Sequence, residues 1–499
     1  MPPGQPSGYG VQTKHITKIL KQLGHQVAIS AYYGLKSAPI KYDGIWVYPS
    51  DNWGAYPTPY YYKEYKADIL ISLQDLWVLP KDYGLFSNWY PYFPIDHEPV
   101  PPEVLVRLKY TRKPIAMSLF GQRELKRLGI DCYYVPHGVD TKIFKPGHGL
   151  DNFGDNFVVG LVGTNRGSRK NIQESIIAFS KFHSRHSDTV FYLHSNIVDG
   201  APGINLKELC RTLGLQDCVF FPKQEEYNLG LSSEELTEVY NSFDVFLLPS
   251  SGEGFGIPII EAQACGIPVI VCNFTAMPEL VGGGWILKDL QKRWTYQNSW
   301  WVEPSIDEIV DCLEQAYQMS KDGSIVVLKE RAREKALEYD WDNLVSMWDD
   351  ILKDIEKQPK SKSLEGVQGN RLMLIPHSIE PKRVLDIGCG LTMPYKIHLE
   401  KLGEYVGVDI QEGHGIIRAD ACNLPFGNQE FGFVWCSEII EHIDTPQLAV
   451  NEAKRVGRHG VIMFPTPDNP YFKLDNGHAE VKLDEEFMIN QEGNGIIIW

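Results

Sequence analysis

The chain has 499 residues, 43% of them apolar and 22% charged, and a formal net charge of −16 at pH 7. That is too long for one ordinary core, so about three domains of roughly 100–200 residues each are expected, of ordinary globular composition. The acidic balance argues against a general nucleic-acid coat or an anionic-membrane binder, and leaves room for a local basic patch or peripheral membrane contact.

Nine scattered cysteines, odd in number and without a C-x-x-C pair, predict a reduced, cytoplasmic protein with neither a disulfide framework nor a zinc ribbon. No apolar run approaches the ~20 residues of a membrane span. The start, MPPGQPSGYG, has no charged or apolar region of a signal peptide. The oligomeric state is not legible.

The first 150 residues predict an α/β domain. Ser7, Gly8, Tyr9 and Gly10 read as a glycine loop, followed by an amphipathic helix ending at Gly24 and a strand. Residues 41–90 alternate short strands (GIWVYP, ADILISL) with tyrosine-rich loops. A packed, partly wet surface explains those tyrosines better than a stacking platform for a sugar or base. An apolar strand, WYPYFPI, ends in Asp96 and His97, where a carboxylate can meet a ligand hydroxyl or cap the next helix. Ser118 and Gly121 stand at the carboxyl end of another strand, and CYYVPHGVD, with His137, closes the domain.

A second α/β domain spans 151–356. Its first strand runs into a basic loop holding Arg166, Arg169 and Lys170. His194 ends the next strand and reads as a structurally satisfied side chain. The apolar FDVFLLP then breaks into SSGEGFG, restarts as a helix with Pro258 in its first turn, and returns to the strand PVIVC after Gly266. Gly254 and Gly256 allow backbone N–H groups close to a ligand, and the helix N-terminus adds positive potential, which suits phosphate. Glu253 and Glu261 repel phosphate and suit hydroxyls. Phosphate plus hydroxyls describes a nucleotide-sugar.

Two glutamates eight positions apart around GFGIPIIE resemble the signature of family 4 of the retaining GT-B glycosyltransferases. The resemblance implies that Glu253 holds donor-sugar hydroxyls, positioning the sugar rather than attacking it. It gives Glu261 the nucleotide ribose, and the amides around Phe255, Gly256 and Ile257 the diphosphate. It assigns a cation pair to the diphosphate: Lys170 with Arg166, Arg169 remaining the alternative. Gly8 and Gly10 become the N-terminal half-site, Asp96 or His97 the acid or histidine near the sugar, and His137 a hinge residue. In that family an apolar strand precedes the first loop, whereas here six residues precede it and none makes a strand. The last helix of the fold is expected to cross back onto the first domain from the ERAREKALEYDWDNL region. Asp340-Trp341-Asp342 imitates a metal-binding D-x-D but sits at a helix start, where Asp caps; a UDP- or GDP-sugar donor and no metal are expected.

Residues 357–370 (KQPKSKSLEGVQGN) read as a linker, and 371–499 as a third unit. KRVLDIGCGLTMPYKIHLEKLGEYVGVDI is strand, glycine loop, helix and strand, with Asp386, Gly388 and Gly390 in the loop and Asp409 ending the second strand, where an acid can take ribose hydroxyls. With the continuation to FPTP it resembles the seven-strand S-adenosylmethionine-dependent methyltransferases. That implies S-adenosylmethionine at Gly388, Gly390 and Asp409, adenine at Asp420 and Ala421, and the methyl group near Ser437 and Glu438. His442 reads as buried polar packing. The family adds a helix and a final hairpin after FPTPDN, for which only about thirty residues remain.

The fold class expected is therefore α/β: two Rossmann-like domains facing a cleft, then a Rossmann-like methyltransferase. The expected function is bifunctional, with retaining glycosyl transfer to a hydroxyl of a glycan or glycoconjugate plus methyl transfer. The alternatives are a glycosyltransferase with a non-catalytic methyltransferase-like module, a catalytically silent scaffold, and a modifier of nucleic-acid bases.

Overall fold

The computed structural model describes residues 3, 7–31, 39–50, 57–80, 83–198, 204–358, 382–390, 396–400, 402–413, 415–437, 439–465, 481, 483, 488–489 and 494–498. It forms two compact units, Met1–Lys81 with Asn88–Lys360, and Asp82–Ser87 with Ser361–Trp499. The predicted linker 357–370 lies outside the described residues from 359 onward.

The first unit opens with α1 (Gly8–Gln22), capped by Ser7, whose hydroxyl accepts the Gly10 N–H at 3.2 Å. The predicted glycine loop is thus already helix at Gly8, because the serine side chain satisfies an amide that a helix start leaves without a partner. Then come β1 (Ala28–Ala31), β2 (Ile40–Tyr42), β3 (Ile45–Pro49), α2 (Pro57–Glu64) and β4 (Leu70–Leu73). After them follow β5 (Trp89–Phe93), α3 (Pro102–Leu108), β6 (Ile115–Ala116), α4 (Leu119–Arg127) and β7 (Tyr133–Tyr134).

These strands make two sheets rather than one, ordered β1-β3-β2 and β4-β5-β6-β7. β1 pairs only with β3, and β4 only with β5, among the described residues. Ile29, Ala31, Ile45 and Val47 accordingly form a small apolar cluster apart from the main core.

The second half of this unit is a doubly wound fold. Its strands are β8 (Phe157–Val162), β9 (Thr189–His194), β10 (Val219–Phe220), β11 (Val245–Leu248), β12 (Val269–Cys272) and β13 (Gly284–Leu287). The helices between them are α5 (Ile172–His183), α6 (Leu206–Thr212), α7 (Gln224–Leu229), α8 (Ser233–Asn241) and α9 (Ile257–Ala264). The sheet order is β10-β9-β8-β11-β12-β13, all parallel. The strand order reverses between β8 and β11, so the loops after those two strands open side by side at the switch point where such sheets bind ligands. A hairpin follows, β14 (Leu290–Trp294) with β15 (Trp300–Pro304). The half ends with α10 (Ile306–Asp322), α11 (Val326–Leu337) and α12 (Trp341–Lys357).

As expected, α12 returns to the first half. Trp341, Leu344, Trp348, Ile351, Leu352 and Ile355 recur at helical spacing and are buried, each contributing roughly 1.5–3 kcal/mol. Trp348 meets Tyr92 edge-on at 5.5 Å, and Asp340 caps the helix by accepting the Asp342 N–H at 2.9 Å. His137 lies at the same junction, buried, with Nδ1 2.9 Å from the Tyr92 hydroxyl; burial lowers its pKa to about 3, as suits a neutral hinge residue.

The second unit holds β16 (Arg383–Ile387), α13 (Lys396–Leu399), β17 (Glu404–Asp409), β18 (Ile416–Arg418), β19 (Phe433–Ser437), α14 (Pro446–Val456), β20 (Gly460–Pro465), β21 (Met488–Ile489) and β22 (Asn494–Ile498). Its sheet order is β18-β17-β16-β19-β20-β22-β21, with β22 antiparallel to its neighbours. The short tail after FPTPDN therefore still supplies a final strand pair. Residues 466–480 lie outside the described residues.

Candidate active site

The loop after β11 carries Glu253, and the loop after β8 brings two cations to it. Lys170 Nζ lies 2.5 Å from one carboxylate oxygen and Arg169 Nη1 2.7 Å from the other. Asn171, in the left-handed region at φ 48°, donates from its amide to Pro249 O at 2.7 Å, and the Ser251 N–H donates to Arg169 O at 2.7 Å. The two loops are thus tied to each other before any ligand arrives. Burial works to raise the Glu253 pKa, but Arg169 and Lys170 overcome it and hold it at about 2. Arg166 stands exposed in the same loop and is not brought to the cluster. Of the two arginines, Arg169 is the one that pairs with Glu253 among the described residues.

Gly256 (φ 111°) is the N-cap of α9 and offers no side-chain cap to its first turn. The Phe255 ring is core packing, edge-on to His137 at 5.3 Å and Tyr339 at 5.7 Å, so only its backbone faces the loop. Ile257 at the helix start lies opposite Gly8, where an added Cβ would stand 3.3 Å from Ile257 Cδ1; Gly10 is buried within α1. Gly254 requires a correction. A Cβ there would meet Pro94 Cβ at 2.1 Å, and one at Gly252 would meet Asp96 O at 2.1 Å. The bareness of Gly254 serves the seating of Pro94 from the first half.

Glu261, on α9, accepts the Tyr240 hydroxyl at 2.8 Å. Burial raises its pKa to about 7, against that hydrogen bond. Asp96 reaches the cluster from the other half. Its carboxylate accepts His97 Nδ1–H at 2.6 Å, and its charge acts on both Arg169 and Lys170. His194, expected to be satisfied, is buried with Nδ1 lacking a hydrogen-bond partner among the described residues, and burial lowers its pKa to about 4.

In the second unit, β16 and β19 flank the corresponding switch point. Gly388 (φ 72°) and Gly390 (φ 59°) both need the left-handed region, but differ in what surrounds them. A Cβ on Gly388 would strike Ile439 at 2.1 Å, whereas one on Gly390 would meet nothing within 4 Å among the described residues. Asp409 Oδ2 accepts the Gly390 N–H and Oδ1 the Gln411 N–H, both at 2.9 Å. Each oxygen keeps a lone pair for a further donor. Asp386 is buried and accepts the Tyr405 hydroxyl at 2.9 Å; burial and then Asp409 raise its pKa to about 7. Asp420 is exposed and accepts the Cys422 N–H at 2.8 Å, Ala421 is half-buried, and Ser437 is buried at the end of β19. Glu438 lies outside the described residues. His442 is corrected from buried packing to an exposed residue of a short 3-10 turn, Ile440–His442, in which Glu441 is the buried member.

The family described as Glycosyl transferases group 1 matches residues 151–334, and a Methyltransferase domain family matches 385–464. The chain carries a group 1 glycosyltransferase region and a methyltransferase domain. The glycosyltransferase region has the GT-B fold. It is similar to sucrose-phosphate synthase from Thermosynechococcus elongatus, at 15% identity over 71% of this chain and 96% of that one, TM-score 0.56. A glycosyltransferase from Rickettsia africae ESF-5 superposes over 71% and 97%, at 18% identity and TM-score 0.53. Among curated relatives, the MMP alpha-(1->4)-mannosyltransferase of Mycolicibacterium hassiacum is 30% identical over 150 residues, 30% of this chain and 33% of that protein. The O-antigen chain mannosyltransferase B of Escherichia coli is 45% identical over 56 residues, 11% of this chain and 15% of that protein. The chain thus spans a third or less of the length of these curated relatives.

In the glycosyltransferase region one residue joins the cluster that motif reasoning missed. Asp75 follows β4, within 3.5 Å of the Tyr9 hydroxyl. Burial, then the neighbouring Asp96, raise its pKa to about 6, while Arg169 pulls it down. Its signal in the sequence was the carboxylate of QDLW just past the apolar ADILISL, the same strand-end placement that singled out Asp96.

Proposed function

We propose that the chain is a bifunctional transferase. The first unit moves a hexosyl group, with retention of configuration, from a UDP- or GDP-sugar to a hydroxyl of a glycan or glycoconjugate. The observation that carries this reading is Glu253 gripped by Lys170 and Arg169 at the switch point, beside the N-terminus of α9. In the free protein acid and cations neutralise each other. A nucleotide-sugar offers partners to both: diphosphate oxygens for Lys170, Arg169 and the Gly256–Ile257 amides, and sugar hydroxyls for Glu253. Glu261 accepts from the ribose. The acceptor hydroxyl enters past Asp96 and Asp75 and attacks from the face the diphosphate leaves, and the departing phosphate oxygen takes its proton. The mannosyltransferase activity of the two curated relatives supports a hexose donor, and Anabaena HepE, similar at 15% identity and TM-score 0.50, was solved with UDP and glucose.

The methyltransferase domain would hold S-adenosylmethionine at Gly390, beside which no described residue stands within 4 Å of an added Cβ, with its ribose on Asp409 and its adenine near Asp420 and Ala421. Bound there, the cofactor supplies an electrophilic methyl group. The chain's own part is to orient that ribose through a carboxylate fixed by two backbone amides. Nine free cysteines fit work in the reducing cytoplasm.

The test is a melting-temperature panel on the full chain with uridine, guanosine and adenosine diphosphate sugars and S-adenosylhomocysteine. A ligand of the native state raises the midpoint. A selective rise with one nucleotide class, and loss of donor turnover by about 100-fold or more in Glu253→Ala, is the expected result. No rise with any nucleotide-sugar would overturn the transferase reading.

A further inference from the structure

The β14–β15 hairpin belongs to the second half of the glycosyltransferase region, yet its far end is bonded to the first half. Glu98 and Trp300 exchange backbone hydrogen bonds at 3.3 and 3.1 Å, as an isolated antiparallel bridge. The Ser299 hydroxyl donates to Pro99 O. The base of the hairpin is fixed as well, since the Val302 N–H donates to Ser251 O at 3.1 Å in the loop that carries Glu253. One short hairpin therefore touches both walls of the candidate site.

Between those anchor points stands Trp301. Its indole N–H donates to Asp96 O at 3.0 Å, and its ring stacks on the His97 ring, centroids 4.7 Å apart and planes 24° from parallel. On β14 its cross-strand partner Arg293 places the guanidinium 5.7 Å from the indole centroid, and Arg293 is itself paired with Glu303 at 2.9 Å. His97 is fully buried. Its Nδ1 is tied to Asp96, and its Nε2 has no hydrogen-bond partner among the described residues. With Nδ1–H donated to a carboxylate, Nε2 is the ring atom left to meet a ligand, and in an imidazole carrying its one proton on Nδ1 it is a hydrogen-bond acceptor. A buried acceptor without a partner is costly unless a ligand supplies the donor.

We infer that Trp301 is a positioning residue for the sugar site, holding the His97 ring from the opposite half so that Nε2 faces a substrate hydroxyl only when the two halves are seated on each other. This rests on the transferase reading of the cleft and adds to it a coupling: the first half supplies the histidine, the second half supplies its orientation. Trp301 touches no reacting atom. It acts through His97, as Arg293 acts through Trp301.

The experiment compares full-length wild type, Trp301→Phe, Trp301→Ala and Arg293→Ala, with UDP-glucose and GDP-mannose as donor probes. Nucleoside diphosphate release gives kcat and KM, and titration gives the Kd for UDP and GDP. Hydrogen exchange follows the amides of residues 96–100. Trp301→Ala is expected to lower kcat about tenfold or more, to leave the nucleoside diphosphate Kd within about threefold, and to speed exchange at Glu98. Trp301→Phe keeps a stacking ring and is expected to recover most of the rate, with Arg293→Ala between the two. An unchanged kcat in Trp301→Ala would overturn the inference, as would an equal loss of rate and nucleotide affinity in both Trp301 variants, which marks general disruption. If Trp301→Ala does not fold, Trp301→Phe and Arg293→Ala decide the question alone. Should the wild type release no nucleoside diphosphate from any donor, the transferase reading fails separately. The strap is then judged by exchange, and unchanged rates at 96–100 in Trp301→Ala sink it.

Discussion

Glu253 and Glu261 are chemically identical side chains eight positions apart, and their surroundings drive their acidities in opposite directions. Glu253 has two cations within 2.7 Å and a pKa near 2; Glu261 has a tyrosine hydroxyl and little else, and a pKa near 7. Because the folded pKa of Glu261 is raised above its unfolded value, the folded state holds the extra proton, and stability declines as pH rises from about 4.5 to 7. Glu261→Gln should therefore raise the melting temperature at pH 8 and change it little at pH 4.5, by at most about 3 kcal/mol of stability, while weakening nucleoside diphosphate binding. A stability gain that does not grow with pH would contradict the assignment. Glu253 has the opposite sign: its contribution is present above its unfolded pKa and disappears as pH falls toward 2. Glu253→Gln strips two buried cations of their partner and should cost about 3 kcal/mol at neutral pH. Urea melts at pH 7 and pH 3 would show the gap to wild type closing at the lower pH.

At the scale of elements, the same residue type does different work in two loops that look alike. Gly254 and Gly390 both stand in glycine loops after a parallel strand, yet Pro94 fills the space beside the first and no described residue fills the space beside the second. Gly254→Ala should destabilise the glycosyltransferase region by about 1–3 kcal/mol through the clash with Pro94, seen as a lower denaturation midpoint. Gly390→Ala meets no atom of the described residues and strains a left-handed backbone, for about 1–2 kcal/mol, but should weaken S-adenosylhomocysteine binding well beyond that. Equal effects of Gly254→Ala on stability and Gly390→Ala on ligand affinity with no such division would show the two glycines to be equivalent. This division was not legible in the sequence, where both glycines read as places for a ligand to come close. The elements carrying them were legible: β11, the loop, α9 and β12 follow the apolar and small-residue pattern of 243–272, and β16, β17 and β19 follow the runs around DIGCG and VWCSE.

For the whole molecule, the two units have separate apolar clusters, one gathering Tyr92, Phe191, Leu247 and Trp348 and another Leu385, Val434, Val450 and Ile462. Each carries its own switch-point site. Asp409→Asn should therefore abolish the S-adenosylhomocysteine shift and leave the nucleotide-sugar shift of the same chain intact; a loss of both would show one site depending on the other. What the sequence by itself determined was the α/β class, the order of the units and the local motifs, because strand–loop–helix signals lie within some twenty consecutive residues. Tertiary structure alone paired Arg169 with Glu253, drew Asp75 into the cluster, divided the first sheet in two, and set Trp301 on His97. Those outcomes depend on partners far apart in the chain, 84 positions for Arg169 and Glu253 and 205 for Trp301 and Asp96. Hydrophobic periodicity reports which face of an element is buried, not which distant side chain it meets there.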